Sequence, residues 1–417
     1  MIGEIIVRES SIRQLKIVRL TGKQFIFFLI VMLLAVIPAL PFTVFKYLDE
    51  ILGVISFFYI FKRIKVLVHN KHVRTILYCL ICTVFLGLLS NLTSGVKTNI
   101  FGIFIDLFGM VKNHLIFIFT IFTLNDKGKD KIFKVLYPIT VVMVYICFFC
   151  GIINLFVLTP WSYDVRYGIR SFEFFFNNPA ALGQLMIIAL AVFDNIESKL
   201  NLHKVIALVV MILTLRSGII AIVFIYVTLS FFMKNTRRIQ WYHIVLLGIG
   251  AVAVGFGMIK EYYLSQNTLR YTLLHYGIVV SKRFLPLGSG FATYGSQMAY
   301  DYYSPLYYEF GFDNMWGLNK TYGGIVNDNY WPMVLAQIGV IGAVVQVILL
   351  IAEFRIVITQ QRKTINRKMA LVLFLNLVIS TTASANLTGV AGTVCYFVLG
   401  LLLSDEINKK TNKEVRV

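Results

Sequence analysis

The stretch Asn327–Gly342, NDNYWPMVLAQIGVIG, sets three polar residues and a Tyr-Trp-Pro at the head of an apolar run that continues to about residue 354. A helix needs about 20 apolar residues to cross a hydrocarbon core. The run is therefore read as a membrane span with polar chemistry at its lip. Asn327, Asp328 and Asn329 stand where helix-capping residues belong. Pro332, in the first turn, forfeits no helical hydrogen bond. Tyr330 and Trp331 suit the interfacial aromatic belt. Gln337 lies two turns in, and it either bonds a neighbouring helix or touches a ligand. Gly339 and Gly342 permit close helix packing.

The rest of the chain extends this reading. Of the 417 residues, 58% are hydrophobic and only 14% are charged, and the mean hydropathy is +0.78. A soluble fold cannot hide that much apolar surface, so the bilayer is the expected solvent. The candidate spans are 25–45, 48–62, 74–92, 99–123, 133–157, 179–195, 203–216, 217–233, 241–259, 329–354, 368–385 and 388–404, about twelve in all. The expected fold is an all-α polytopic membrane protein, with residues 1–417 as one multi-pass domain. One large hydrophilic loop, 260–327, precedes the tenth span. The N-terminal segment shows no small-residue cleavage site and reads as leading into a retained first helix, not a signal peptide. All five cysteines (Cys79, Cys82, Cys147, Cys150 and Cys395) lie in apolar runs and are expected as free thiols. Packing is the expected use of the Cys79-x-x-Cys82 pair.

Lys and Arg orient the spans. With the N-terminus inside, the inner segments hold most of the 39 basic residues. The +19 net charge is thus a topology signal, and nucleic acid is not expected as a partner. Both termini fall on the cytoplasmic side and 260–327 faces out. The outer cations are then the exceptions: Lys46, Lys97, Arg166, Arg170, Arg216, Lys260, Arg270, Lys282, Arg283 and Lys320. Arg216 sits in LTLRSGII, in a tight turn between two short spans, where it must lie at the interface or face an aqueous cavity.

Guanidinium groups make bidentate bonds to phosphate oxygens. Arg166, Arg170, Arg216, Arg270 and Arg283 are the candidates to converge on a diphosphate. Asn178, Asn329, Gln337, Gly288 and Gly290 complete the candidate binding set. Loop rings (Tyr294, Tyr300, Tyr302, Tyr303, Tyr307, Tyr308, Trp316 and Tyr322) suit sugar stacking or an interfacial belt. Asp328 and His275 are the candidate general bases. His275 has the better ordinary pKa, about 6.5. It lies about 140° round a regular helix from Arg270. Asp328 opens a helix whose N-terminus favours its ionised form, and it can equally be only a cap. Asp106 and Asn113 share a face of the fourth span without Lys112, either as buried polar contacts or on a substrate path. There is no P-loop, no His-Glu-x-x-His and no outer Asp-x-Asp, so neither a nucleotide nor a metal nor any other cofactor is expected.

The order of these segments carries a resemblance. Arg166 to Asn178-Pro179, then Arg216-Ser217-Gly218, then RYTLLHYGIVVSKRFLPLGSGFATYGS and DNYWPMVLAQIGVIG, resembles the O-antigen polymerase and ligase family. Within it, the likeness is to the Wzy-type repeat-unit polymerases of capsule and exopolysaccharide assembly. It covers about residues 160–350 through these motifs, and the outer spans only as hydropathy. The resemblance implies a GT-C-like glycosyltransferase architecture in the bacterial plasma membrane with an outward-facing site. It implies undecaprenyl-diphosphate-linked oligosaccharides as donor and acceptor, metal-independent transfer with inversion, and a flippase and a chain-length regulator as associated partners. The ligase branch carries His just before the Asn at the loop-to-helix junction, where this chain has Asp328. Two other readings stay open: a ligase of the same family, and a flippase or secondary transporter, which would need charged or broken helices near the midplane.

Overall fold

The computed structural model describes residues 4–7, 16–36, 47–124, 126–176, 178–197, 199–232, 265, 268–359 and 364–414. The ninth predicted span, the start of the long loop at 260–264, and Asn177 lie outside the described residues. Each predicted span with described residues falls on a helix. These are α1 (Gly22–Val36), α2 (Leu48–Leu67), α3 (Lys71–Ser94), α4 (Ile100–Thr123), α5 (Asp126–Phe156), α6 (Pro179–Ile196), α7 (Leu202–Leu213) and α8 (Ser217–Phe232). After the loop come α12 (Tyr330–Thr359), α13 (Thr364–Ser380) and α14 (Val390–Glu414). Asparagines start several of them: Asn70, Asn99, Asn178 and Asn201 each accept from a backbone N–H of the first turn. Among the described residues, five helices can by length and composition cross a membrane: α3, α4, α5 from Lys127, α6 and α12. Shorter apolar helices lie in α1, α7, α8 and α14. The protein is mostly helical and membrane-embedded.

Beside the helices, two short antiparallel ribbons occur among the described residues, β1 (Glu4–Val7) with β2 (Lys16–Arg19), and β3 (Ser162–Arg166) with β4 (Ile169–Phe172). In the second, polar and apolar residues alternate along SYDVR. Tyr167 and Gly168, at φ 53° and 76°, make a two-residue turn of the kind that joins tight hairpins. A polar loop read from composition concealed that alternation.

Helix α4 packs on α2 and α14, α12 on α3, α5 on α6 and α7, and α8 on α13. Before α12, residues 268–329 form a folded unit. It holds α9 (Leu269–Arg283), α10 (Gln297–Asp301) and α11 (Pro305–Glu309). Leu273, Tyr294, Tyr307, Phe312 and Leu318 form its own apolar core. The unit is locked to α12 through a break in that helix. Gly339 is at φ 71°, ψ −171°, so the ladder is interrupted there. The carbonyls of Ala336 and Gln337, freed by the break, accept instead from Ser289 N at 2.7 Å and Gly290 N at 2.9 Å. This close approach requires glycine: a Cβ on Gly288 would come within 2.3 Å of the Gln337 backbone, and one on Gly339 within 2.4 Å of the Leu287 backbone.

Candidate functional site

A cavity of about 720 Å³ opens where α6, α8, α9, α13 and the β3–β4 hairpin meet. Arg166, Asn178, Arg216, Arg270 and Asp328 all line it. Each arrives from a different element. Arg166 ends β3, and its Nε donates to Asp164 Oδ2 at 2.8 Å. Arg216 fills the turn between α7 and α8, directly after Leu215 at φ 50°. Its guanidinium carbon lies 4.8 Å from the centre of the Tyr163 ring, a cation–π contact across the cavity wall. Arg270 stands in the first turn of α9. Its Nη2 donates to Asp328 Oδ2 at 3.2 Å and to the Ala383 carbonyl at 3.3 Å. Asn178 caps α6 by accepting from Ala180 N at 2.9 Å.

Asp328 is the carboxylate among cations. Burial raises its pKa above the ordinary value, and the charges of Arg270 and Arg216 pull it only part of the way back. The helix N-terminus was expected to favour ionisation. Instead α12 starts two residues later, at Tyr330. The Asp328 side chain pairs with Arg270 across the cavity rim, and desolvation sets the direction of its shift. At the outer edge Asp164 goes the other way. Burial raises it, but the Ser171 hydroxyl and Arg166 outweigh that and hold it below the ordinary carboxylate range.

The remaining expected residues lie elsewhere. His275 is exposed on α9 and stacks on Tyr271 at 6.0 Å between ring centres. It does not line the cavity, as its helical phase relative to Arg270 predicts. Arg283 makes a bidentate pair with Glu309 at the loop surface. Arg170, on β4, is not among the cavity-lining residues, and its Nη1 is buried without a hydrogen-bond partner. Asn329 is buried and donates to the Arg270 carbonyl at 3.2 Å, which ties α12 to the first turn of α9. Gln337 is fully buried and donates to Asp106 Oδ2 and to the Tyr294 carbonyl, each at 2.9 Å. It is therefore a helix-to-helix contact, and Asp106 is its partner, also accepting from Ala292 N at 2.8 Å. Gly288 and Gly290 dock the loop on α12, away from the cavity lining. Tyr330 and Trp331 donate to Gln346 and Thr381 at 3.1 Å each.

The loop rings do not build the cavity either. Tyr294, Tyr303 and Tyr307 are buried in the loop's own core, and the cavity's aromatic is Tyr163. Beside the arginines, the sequence reading missed a neutral polar wall. Gln184 of α6, Asn376 and Ser380 of α13, and Thr382, Ser384 and Asn386 of the following turn line that side. Its signal was present in STTASANLTG, a polar run between the last two apolar stretches. Asn113 of α4 positions this turn, donating to the Leu387 carbonyl at 2.8 Å and to that of Gly389 at 3.1 Å. Lys112, off that face, pairs with Asp49 and Glu50 of α2.

The arrangement can hold an anion on three guanidiniums, present uncharged amides and hydroxyls to a polyhydroxyl group, and offer one carboxylate as a base. A scan against protein-family models finds no match to this chain, and a search of characterised proteins finds no relative.

Proposed function

We propose that the chain is a polysaccharide polymerase of the Wzy type. It joins undecaprenyl-diphosphate-linked oligosaccharide repeat units at the outer face of a bacterial plasma membrane. The observation that supports this reading is the cavity itself: Arg166, Arg216 and Arg270 come from three separate elements and meet Asp328 beside a neutral polar wall. Three fixed cations in one water-accessible cavity suit a diphosphate. Uncharged amides and hydroxyls suit sugar hydroxyls, because each can both donate and accept.

In this reading the acceptor hydroxyl oxygen attacks the anomeric carbon of the donor. The bond from that carbon to the diphosphate oxygen breaks, and the electron pair leaves with undecaprenyl diphosphate. Asp328 takes the hydroxyl proton. The arginines stabilise the charge that develops on the leaving oxygen, a contribution of about 2–4 kcal/mol for a single well-placed donor. The topology that goes with it is about twelve spans, both termini cytoplasmic and the 260–327 unit outside.

The test is deletion of the chain's gene, with analysis of surface glycan and lipid-linked intermediates. Loss of a polymerase leaves single repeat units at the surface. Long lipid-linked chains would instead indicate a ligase, and units trapped inside would indicate a flippase.

A further inference from the structure

Helix α5 carries an exposed apolar stripe: Val142, Ile146, Phe149, Ile153 and Phe156 recur at alternating four- and three-residue steps on one face. On a helix long and apolar enough to cross a membrane, such a face meets lipid. The stripe does not stop with the helix. Val157 and Leu158 continue it, exposed, into the β3–β4 hairpin.

The hairpin keeps apolar residues exposed beside its tip. A water-facing ribbon turns its apolar residues inward. Here Val165 is 68% exposed, and Ile169 across the turn is exposed as well. The polar residues Ser162, Asp164 and Arg166 are hydrogen-bonded within the chain. Ser162 bonds Asn154 at 2.8 Å, and Asp164 accepts from both Ser171 and Arg166.

The tip makes the same point. Tyr167 occupies the first turn position at φ 53° with 88% of its surface exposed. Asn, Asp or Gly is the favoured residue there, and an aromatic side chain at positive φ is strained. Strain retained at an exposed position points to a role for the side chain. A Tyr at the membrane–water boundary places an apolar ring and a polar hydroxyl in the layer that suits each.

We infer that the β3–β4 hairpin dips into the bilayer leaflet beside the cavity, with Val165 and Tyr167 seated among lipid headgroups and upper acyl chains. The occupant of this tip is membrane lipid, because its exposed apolar residues follow the lipid stripe of α5 along the chain, after Val157, Leu158 and Pro160. The same strand carries Tyr163 and Arg166 on the cavity wall. The cavity mouth therefore lies at headgroup depth, where an amphiphile's polar head can enter while its tail stays in the bilayer. This inference does not depend on the proposed chemistry.

Spin labels test it. Val165→Cys and Tyr167→Cys are each introduced into a chain whose five native cysteines are replaced, and the purified full chain is placed in vesicles of phosphatidylethanolamine and phosphatidylglycerol. Phe149→Cys on the stripe is the lipid control, and Lys320→Cys on the loop unit is the water control. Collision rates are read with dissolved oxygen and with a water-soluble nickel chelate. Both hairpin labels are expected to resemble Phe149→Cys, with oxygen several-fold favoured over nickel. Nickel access matching Lys320→Cys would overturn the inference. So would poor access to both reagents, which would mean that a protein partner covers the face. The two side chains are exposed and are read independently, so misfolding of one variant, seen as aggregation in size-exclusion chromatography, leaves the other decisive.

Discussion

At two places among the described residues a carboxylate meets two cations, and the two are built to opposite ends. At one, Asp194 of α6 pairs with Lys204 of α7 at 2.6 Å and with Lys368 of α13 at 2.7 Å. The Tyr226 hydroxyl of α8 donates to the same carboxylate at 3.1 Å. All four side chains are buried. At the other, Asp328 meets Arg270 and the charge of Arg216 on the wall of an open cavity. The Asp194 cluster is closed: its four side chains are buried against one another. The Asp328 site has free volume and a neutral polar wall beside its cations. Buried charge alone marks a fold constraint, whereas cations that line open volume mark a place for an anion.

The largest expected effect sets these two sites apart. Asp194→Ala leaves Lys204 and Lys368 as buried cations without their carboxylate, a loss of about 3–5 kcal/mol for a broken buried pair. Its membrane level is expected to collapse on a blot. Asp328→Ala is expected to keep its level, because the neighbouring arginines remain solvated by the cavity. Equal losses of protein from both variants would erase the distinction.

Next come the guanidiniums. Arg216→Lys and Arg270→Lys keep the charge and lose the planar fork. Each is expected to cut polymerisation by roughly 10²–10³ at unchanged protein level, measured with purified protein and lipid-linked repeat units. Near-wild-type rates from both would remove diphosphate clamping from the account.

The pH profile is a finer probe. A base works ionised, so the rate falls as pH drops through the Asp328 pKa. Burial raises that pKa, and the acidic limb of kcat/KM is expected above the ordinary carboxylate value of about 4. Arg270 pulls the Asp328 pKa down, so Arg270→Gln must move the limb to higher pH. A limb that stays in place, or moves down, contradicts the pairing as the source of the tuning. The smallest effects belong to residues outside the cavity. Arg283→Gln and His275→Gln are expected to leave most of the rate intact in the same assay.

What the sequence disclosed follows from how each residue is satisfied. Arg216 and Arg270 were legible because cations against the positive-inside pattern, with no partner at helical spacing, have to find one in space or in a ligand. Arg283 carried the same signal, yet Glu309 lies across its own folded loop, a pairing that a linear reading does not see. In sequence, Gly288, Gly290 and Gln337 read as candidate ligand contacts, Gln337 equally as a bond to a neighbouring helix. Their use depends on the break at Gly339, which frees two carbonyls for the loop to bond. The hairpin was concealed in a short polar stretch. The wall formed by Asn376 through Asn386 was concealed because a turn between two spans reads as a connection, and only Asn113, far away in sequence, shows that it is held in place.

The central claim is that Asp328 takes a proton in the cavity and does not merely brace Arg270. Asp328→Asn tests it most directly, since Asn keeps the size and a hydrogen-bonding oxygen but cannot accept the proton. The assay is the polymer ladder made by the purified chain from lipid-linked repeat units, beside a blot of membrane levels. Loss of polymer by about 10²–10⁴ in rate, at normal protein level, is the predicted result. Full-length polymer from Asp328→Asn would contradict it and reduce the carboxylate to a partner for Arg270.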